Sequence, residues 1–298
     1  MLSLKYLLSA LAATHLVFAE SDCGDTTIES QSDADDLKSC KTIDGTLTIK
    51  SSYSQGLALN GVQKVTGDIM CDSASALSSI SGDSLSSIGG NFTLNNLTVL
   101  SELSFPKLTS IGQIKFDSLP ALGSLSFEKG VDETSDVSIT NTGLTSLDGI
   151  GLKMVGELNI QANTYLKTAN LDKLINATGI INLSLNRDTV EVSLPNLTYA
   201  KGLTFRNVSS VSVPSLKNLD GELGFWGTQF ETFYAPKLKT CGDMVFNDNA
   251  KLTNITIPYL ETVNGGFTVA RNDKLDVIDL PSLTKLTGAI DFSGRFSQ

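Results

Sequence analysis

Residues 252–260 read Leu252-Thr253-Asn254-Ile255-Thr256-Ile257-Pro258-Tyr259-Leu260: apolar and polar residues alternate, then stop at a proline, one further residue and a leucine. Period-two alternation marks a strand with one buried face. The closing apolar-Pro-x-Leu recurs at Phe105-Pro106-Lys107-Leu108, Leu194-Pro195-Asn196-Leu197, Val213-Pro214-Ser215-Leu216, Ala235-Pro236-Lys237-Leu238 and Leu280-Pro281-Ser282-Leu283, which uses six of the seven prolines. From Pro195 onward, successive prolines of the pattern stand 19, 22, 22 and 23 residues apart, and the 89 positions from Pro106 to Pro195 are close to four such periods. A glycine follows with similar regularity (Gly112, Gly221, Gly242, Gly265, Gly288) and opens another alternation, as in Gly242-Asp243-Met244-Val245-Phe246. An Asn or Asp often comes next (Asn95, Asp117, Asn141, Asn163, Asn186, Asn207, Asn249, Asn272), where its side chain is expected to bond backbone groups at a corner.

Each unit of about 22 residues is thus two or three short strands joined by corners. One unit cannot bury its own apolar face, whereas stacked units bury a continuous core. Proline lacks a donor for a strand ladder, which suits the corner position. Val, Ile, Thr and Phe at alternate places favour strand over the helical leucine-rich rival. The expected fold is all-β: a parallel β-solenoid, a right-handed β-helix with a short N-terminal capping helix. The helix is expected within Ser32-Asp33-Ala34-Asp35-Asp36-Leu37-Lys38-Ser39-Cys40, with Ser32 as cap residue and Asp35 three positions on. The expected organisation is a signal peptide over 1–19, a disulfide-pinned cap over 20–44, and a repeat domain over 45–298. That array stops just after a strand begins at Asp291, so it reads as incomplete at its C-terminus.

Residues 1–19, MLSLKYLLSALAATHLVFA, carry one Lys5 before an apolar stretch and small residues before Glu20. This is the layout of a cleaved secretory signal, and the apolar stretch is short for a membrane span. Cleavage removes His15, the chain's single histidine. Catalysis by Ser-His-Asp or Cys-His sets is then excluded, as is imidazole metal ligation. Composition narrows things further. Lys and Arg total 22 against 32 Asp and Glu, a net charge of -10, which argues against a nucleic-acid partner. No cofactor and no metal site is expected.

Four cysteines occur in this secreted reading. Cys23 and Cys40 bracket a short segment and form the expected pair, stabilising by about 3 kcal/mol. Cys71 and Cys241 lie nearly eight turns apart, about 35 Å along a solenoid axis. They should not pair with each other, and Cys241 falls where Ile111, Leu219, Val263 and Leu286 stand in other turns.

Seven Asn-x-Ser/Thr sequons begin at Asn91, Asn96, Asn176, Asn182, Asn196, Asn207 and Asn254, and in a secreted chain most are expected to be glycosylated. Two further sets bear on function. Glu222 and Asp243 follow equivalent glycines, so they are expected side by side on neighbouring turns, where a carboxylate pair is able to do acid–base chemistry. Two solvated charges on an exposed strand are the simpler reading. Trp226, the only tryptophan, falls on the outward phase of its strand and is the candidate for stacking on a sugar ring. The simpler alternative is an indole covered by a corner residue such as Phe230 or Phe233.

The segments Ser30-Gln31-Ser32-Asp33-Ala34-Asp35-Asp36-Leu37 with Ser39-Cys40, Leu97-Thr98-Val99-Leu100-Ser101-Glu102-Leu103-Ser104-Phe105-Pro106-Lys107-Leu108, Asn141-Thr142-Gly143-Leu144-Thr145-Ser146-Leu147-Asp148-Gly149 and Ala289-Ile290-Asp291-Phe292-Ser293-Gly294 stand in one order along the chain. In that order they resemble the fungal GPI-anchored cell-wall organisation glycoproteins, the extracellular-mutant and sporulation-specific family with receptor-L-domain-like repeats. The resemblance covers essentially the whole mature chain. It implies a non-enzymatic surface glycoprotein, tethered by a glycolipid or cross-linked into wall glucan, that supports wall integrity. The implied partners are cell-wall polysaccharide or wall proteins, with the plasma membrane reached only through a GPI anchor that this chain does not encode. The implied location is the cell wall or outer membrane face. A carbohydrate-active β-helix enzyme, lyase or hydrolase, using Glu222 and Asp243 is the alternative.

Overall fold

A computed structural model describes residues 23–294; the signal-peptide reading of 1–19 and the last four residues lie outside it. The chain winds as an all-β parallel solenoid of about twelve turns, with one short helix at its N-terminal end. Every strand pairing is parallel and joins neighbouring turns. The turns build three rows of rungs. The first climbs from Thr42–Ile43 through Lys64–Val65 to Lys285–Leu286. The second climbs from Thr26–Ile28 through Leu47–Ile49 and Ile69–Asp72 to Ile290–Ser293. These two rows fuse into one 21-stranded sheet, because strands such as Ser87–Asn95 and Ser110–Leu119 run around the corner between them. The third row forms three separate three-stranded sheets, among them Thr232–Tyr234, Asn254–Thr256 and Val277–Asp279.

The alternation read from the sequence does what it should. Leu223 and Phe225 point inward and are fully buried, and their register partners Met244 and Phe246 continue the core. Phe225 stacks between Phe205 and Phe246, with ring centroids at 5.8 and 5.1 Å. Full burial of side chains of this size stabilises by about 1.5–3 kcal/mol each, repeated turn after turn.

The prolines close tight turns. In each apolar-Pro-x-Leu the leucine N–H donates to the carbonyl of the apolar residue, for example Leu108 to Phe105 at 3.2 Å and Leu283 to Leu280 at 3.1 Å. Proline at the second place of such a turn fits its fixed φ and costs no bond. The seventh proline has the same local pattern, Leu119-Pro120-Ala121-Leu122, and the same bond at 3.1 Å. It stands at a different corner, two residues after the left-handed Ser118.

That second corner recurs through a residue with positive φ: Ser73, Asn96, Ser118, Asn141, Ala162, Leu185, Asn207, Asp248 and Arg271, with Gly227 taking the place once. Here the structure divides the polar corner residues that the sequence placed together. Asn141 and Asn207 occupy the left-handed position, while Asn95 and Asp117 face outward on strands. Asn163, Asn186, Asn249 and Asn272 instead come one step later and point into the core.

The glycines mark the third corner, where successive coils touch backbone to backbone. Gly67 donates to the Gly45 carbonyl at 2.9 Å, Gly90 to Gly67 at 2.9 Å and Gly288 to Gly265 at 3.0 Å. A Cβ on Gly112 would collide with the carbonyls of Gly89 and Gly90, so any side chain there would push the coils apart.

At the N-terminal end the helix spans Gln31–Asp36, followed by a single 3-10 turn at Leu37–Ser39. Its cap is Ser30, two residues before the expected Ser32. The Asp33 carboxylate accepts the backbone N–H groups of Ser30 and Glu29, both at 2.8 Å, while the Ser30 hydroxyl accepts from Asp33 N–H. Ala34 and Leu37 cover the first coil, and the Cys23–Cys40 disulfide closes the segment as expected.

Candidate binding face

The outward side of the second row presents two columns of side chains. One runs Thr48, Met70, Thr93, Lys115, Ser138, Asn159, Asn182 and Thr204 by direct register. The other runs Asp72, Asn95, Asp117, Thr140 and Gln161 to Ser184, which is itself buried, and continues to Arg206 one turn on and Trp226 two turns on. Most are small, polar and uncharged. They bond one another: Asn95 Nδ2 to Asp72 at 3.0 Å, Gln161 Nε2 to Asn159 at 2.7 Å, and Asn182 Nδ2 to Asn159 at 2.9 Å. Two shallow depressions lie along this side. One, of ≈ 420 Å³, is bordered by Thr48, Met70, Asp72 and Asn95; the other, of ≈ 240 Å³, by Gln113, Lys115, Ser138 and Asn159.

Trp226 stands on the same side, half-buried. Its benzo ring leans back over Gly224, where a Cβ would collide with it. The guanidinium carbon of Arg206, from the preceding coil, sits 4.2 Å from the ring centroid. Cation–π stacking of this kind is worth about 0.5–1 kcal/mol at an exposed site. Phe230 and Phe233 do not cover the indole, contrary to the sequence expectation. They pack inward on Phe225 at 5.4 and 4.7 Å, because the short corner after Gly227 turns both into the core. Arg206 was not foreseen. A glycine at an outward strand position, next to a tryptophan, is the sequence signal that the indole lies flat.

Glu222 and Asp243 are brought together as expected: Leu223 and Met244, one residue on, are direct register partners. The Glu222 carboxyl is held above its ordinary value by burial first and by the Asp243 charge second, with Arg206 and a Thr204 hydrogen bond pulling the other way. Asp243, however, is already committed. Its Oδ1 accepts the backbone N–H of Gly266 in the following coil at 2.7 Å. Asp25 does the same for Thr46 N–H at 2.6 Å, Asp68 for Asn91 at 2.6 Å and Asp136 for Glu157 at 2.7 Å. Among the described residues, Asp243 is thus one of four carboxylates that accept a backbone N–H from the following coil beside the glycine corner. The residues after the glycines vary too much for this role to be read from the sequence.

The sequons spread over several sides. Asn96, Asn196 and Asn207 are exposed; Asn91, Asn176, Asn182 and Asn254 are partly buried. Asn182 lies in the middle of the polar face, and its Oδ1 accepts from Ser184, the hydroxyl of its own sequon. Asn254 accepts from Thr256 in the same way at 2.8 Å. Cys71 and Cys241 are buried free thiols, with Cys241 paired in register to Val263. Among the described residues no group of three or more His, Cys, Asp or Glu is placed to hold a metal ion.

Comparison with known proteins adds an independent line. A family model described as "Ecm33: GPI-anchored cell wall organization protein" matches residues 1–37, and a BspA type leucine rich repeat region matches in six copies over residues 67–167 and 184–294. The chain is 53% identical over 299 residues to Protein ecm33 of Aspergillus fumigatus, covering 99% of this chain and 75% of that protein. It is 42% identical over 293 residues to the Cell surface GPI-anchored protein of Arthroderma benhamiae, covering 98% and 76%. Cell wall protein ecm33 of Schizosaccharomyces pombe is 31% identical over 280 residues, covering 92% of this chain and 61% of that one. No solved structure matches.

Proposed function

This chain belongs to the Ecm33 family of fungal cell-surface, GPI-anchored cell-wall organization proteins, and from that premise we propose that it acts without catalysis, as a stiff rod that holds wall polysaccharide or wall proteins along its polar face. The observation that carries this reading is the pair of outward columns from Thr48 to Thr204 and Asp72 to Gln161. A parallel rung repeats a hydroxyl or amide about every 4.8 Å along the axis. An extended glycan, itself a repeating row of hydroxyls, meets matched donors and acceptors there, and no single site needs to bind tightly.

The carbohydrate-active reading has one observation in its favour, the raised Glu222 carboxyl. Against it stands Asp243, whose carboxylate is taken up by Gly266. A strain that lacks its own copy of the protein separates the two. Glu222→Gln with Asp243→Asn retains both hydrogen-bonding shapes, and it is expected to restore growth on wall-perturbing dyes as fully as the unaltered chain. Failure of that double variant to restore growth, with normal secretion, would support the enzyme instead.

A further inference from the structure

Met70 breaks the chemistry of its column. Its register partners on either side are Thr48 and Thr93, and it is the one apolar side chain between Thr48 and Thr204. It is 37% exposed and forms part of the depression of ≈ 420 Å³ that Thr48, Lys50, Asp72, Thr93 and Asn95 also border. It adds little to the core, which its chain neighbours Ile69 and Cys71 fill from the other side of the strand. The polar groups around it have hydrogen-bonding capacity left over. Asp72 Oδ1 accepts from Asn95 Nδ2 at 3.0 Å and from the Ser73 hydroxyl at 2.9 Å. Asp72 Oδ2, Asn95 Oδ1 and the hydroxyls of Thr48 and Thr93 make no hydrogen bond among the described residues. The Lys50 ammonium lies 3.8 Å from Glu29, with both side chains half exposed or more.

We propose that this depression is a sugar subsite of the polar face, in which Met70 underlies the apolar C–H side of one pyranose of an uncharged polysaccharide and the surrounding polar groups bond its hydroxyls; the proposal rests on the reading of that face as a polysaccharide-binding surface. A pyranose has an apolar side and a rim of hydroxyls, and the depression offers the complement: an apolar floor with a few polar groups around it. The unbranched thioether is polarisable and adapts to the ring placed on it. An extended peptide fits less well. It would need a free strand edge, and the strands of Thr48, Met70 and Thr93 are each paired on both sides. The Asp72 carboxylate opposes an anionic polymer, which leaves an uncharged one. Trp226, the sugar-stacking candidate of the sequence, already carries the Arg206 guanidinium at 4.2 Å. A polymer seated on Met70 and running along the axis passes over Thr93, Lys115 and Ser138. One subsite then fixes its register, while the columns add weak contacts along its length.

The full chain is secreted from yeast fed methionine with a ¹³C-labelled methyl group, and β-1,3-gluco-oligosaccharides and chito-oligosaccharides are titrated in while the methyl resonances are followed. Among the described residues the methionines are Met70, Met154 and Met244. Met154 is exposed on the first row and Met244 is fully buried, so they are the exposed and buried controls. At least one of the two sugars is expected to shift the Met70 methyl saturably while Met154 and Met244 stay still. Met70→Leu, which keeps an apolar floor, is expected to bind within about twofold of the unaltered chain, and Met70→Ser about tenfold more weakly, although the serine gives that column an unbroken run of polar residues. Undiminished binding by Met70→Ser overturns the subsite, as do equal shifts at Met70 and Met154. A Met70 methyl that neither sugar moves, in a chain still retained by insoluble wall polysaccharide, overturns the subsite and leaves the polar-face reading standing. No retention at all overturns that reading, and the subsite with it.

Discussion

The backbone N–H of Asn249 donates to the Oδ1 of Asn272, one coil further along, at 2.9 Å. Asn249 in turn accepts the N–H of Thr228 at 2.9 Å and the Thr228 hydroxyl at 2.5 Å, and donates its Nδ2 to the Phe225 carbonyl at 3.2 Å. Thr142, Asn163 and Asn186 repeat the arrangement earlier in the chain. These side chains supply the bonds that the inward corner would otherwise lack. Deleting one leaves several buried groups without partners. Asn249→Ala is therefore expected to destabilise by about 2–4 kcal/mol in urea unfolding, against under about 1 kcal/mol for Asn95→Ala on the outer face.

The bridging carboxylates give a second expectation. Asp136 accepts Glu157 N–H at 2.7 Å and Gln113 Nε2 at 3.0 Å. Asp136→Ala removes both acceptors and should cost about 1–3 kcal/mol, while Asp136→Asn, which keeps an oxygen in place, should cost clearly less. Equal losses in the two variants would mean that charge, not coil-to-coil bonding, is what matters there.

Acid should act on the carboxyls in opposite directions. Asp33 lies below its ordinary value because the Glu29 and Ser30 N–H groups bond its charged form, and Asp248 lies below because Arg271 does. Such groups stabilise the fold above their unfolded values, and that contribution disappears as pH falls through the folded ones. Glu222 is raised, so the folded state holds its proton more tightly and the group favours folding more as pH falls. Glu222→Gln is expected to raise the urea midpoint at neutral pH, with the gain shrinking in acid. Asp33→Ala should lower it at neutral pH, with the loss shrinking in acid. Midpoints measured in neutral and acidic buffer check both signs.

The free thiols should be inert. Burial, with smaller help from Asp72, pushes the Cys71 thiol up to about 12, and burial with Asp243 pushes Cys241 up to about 12. At mildly alkaline pH the thiolate fraction is then on the order of one in ten thousand. A thiol reagent should label neither cysteine in the native protein and both after unfolding. Rapid native labelling of either would mean that its coil opens.

Much of the fold is legible because the solenoid repeats its requirements. A donor-free residue suits one corner of the coil and a residue without Cβ another, so Pro258 and Gly265 have counterparts in many turns, although Asp172 takes the proline's place in the Leu171–Leu174 turn. What escapes the sequence depends on phase or on distant contacts. Asn141 and Asn163 look alike, yet the left-handed place falls on Asn141 in one coil and on Ala162 in the next, which sends Asn163 inward. Ser30 and Ser32 each have an Asp three positions on. The choice between them follows from Gln31, whose amide bonds Ala58 N–H and carbonyl, both at 3.0 Å, and so draws Gln31 into the helix. The Glu222–Asp243 pairing was readable from equivalent positions, but the commitment of Asp243 to Gly266 was not, since it lies across coils.

The central claim, that the polar face retains wall polymer without cutting it, is tested most directly by co-sedimentation with insoluble wall polysaccharide. Ser138→Glu with Thr140→Glu places bulk and charge in the middle of that face and touches no sequon. The account predicts saturable retention of the unaltered chain, loss of about tenfold in affinity in the double variant, and no new reducing ends or unsaturated products in either. Equal retention of the two proteins, or clear release of such products, would contradict it.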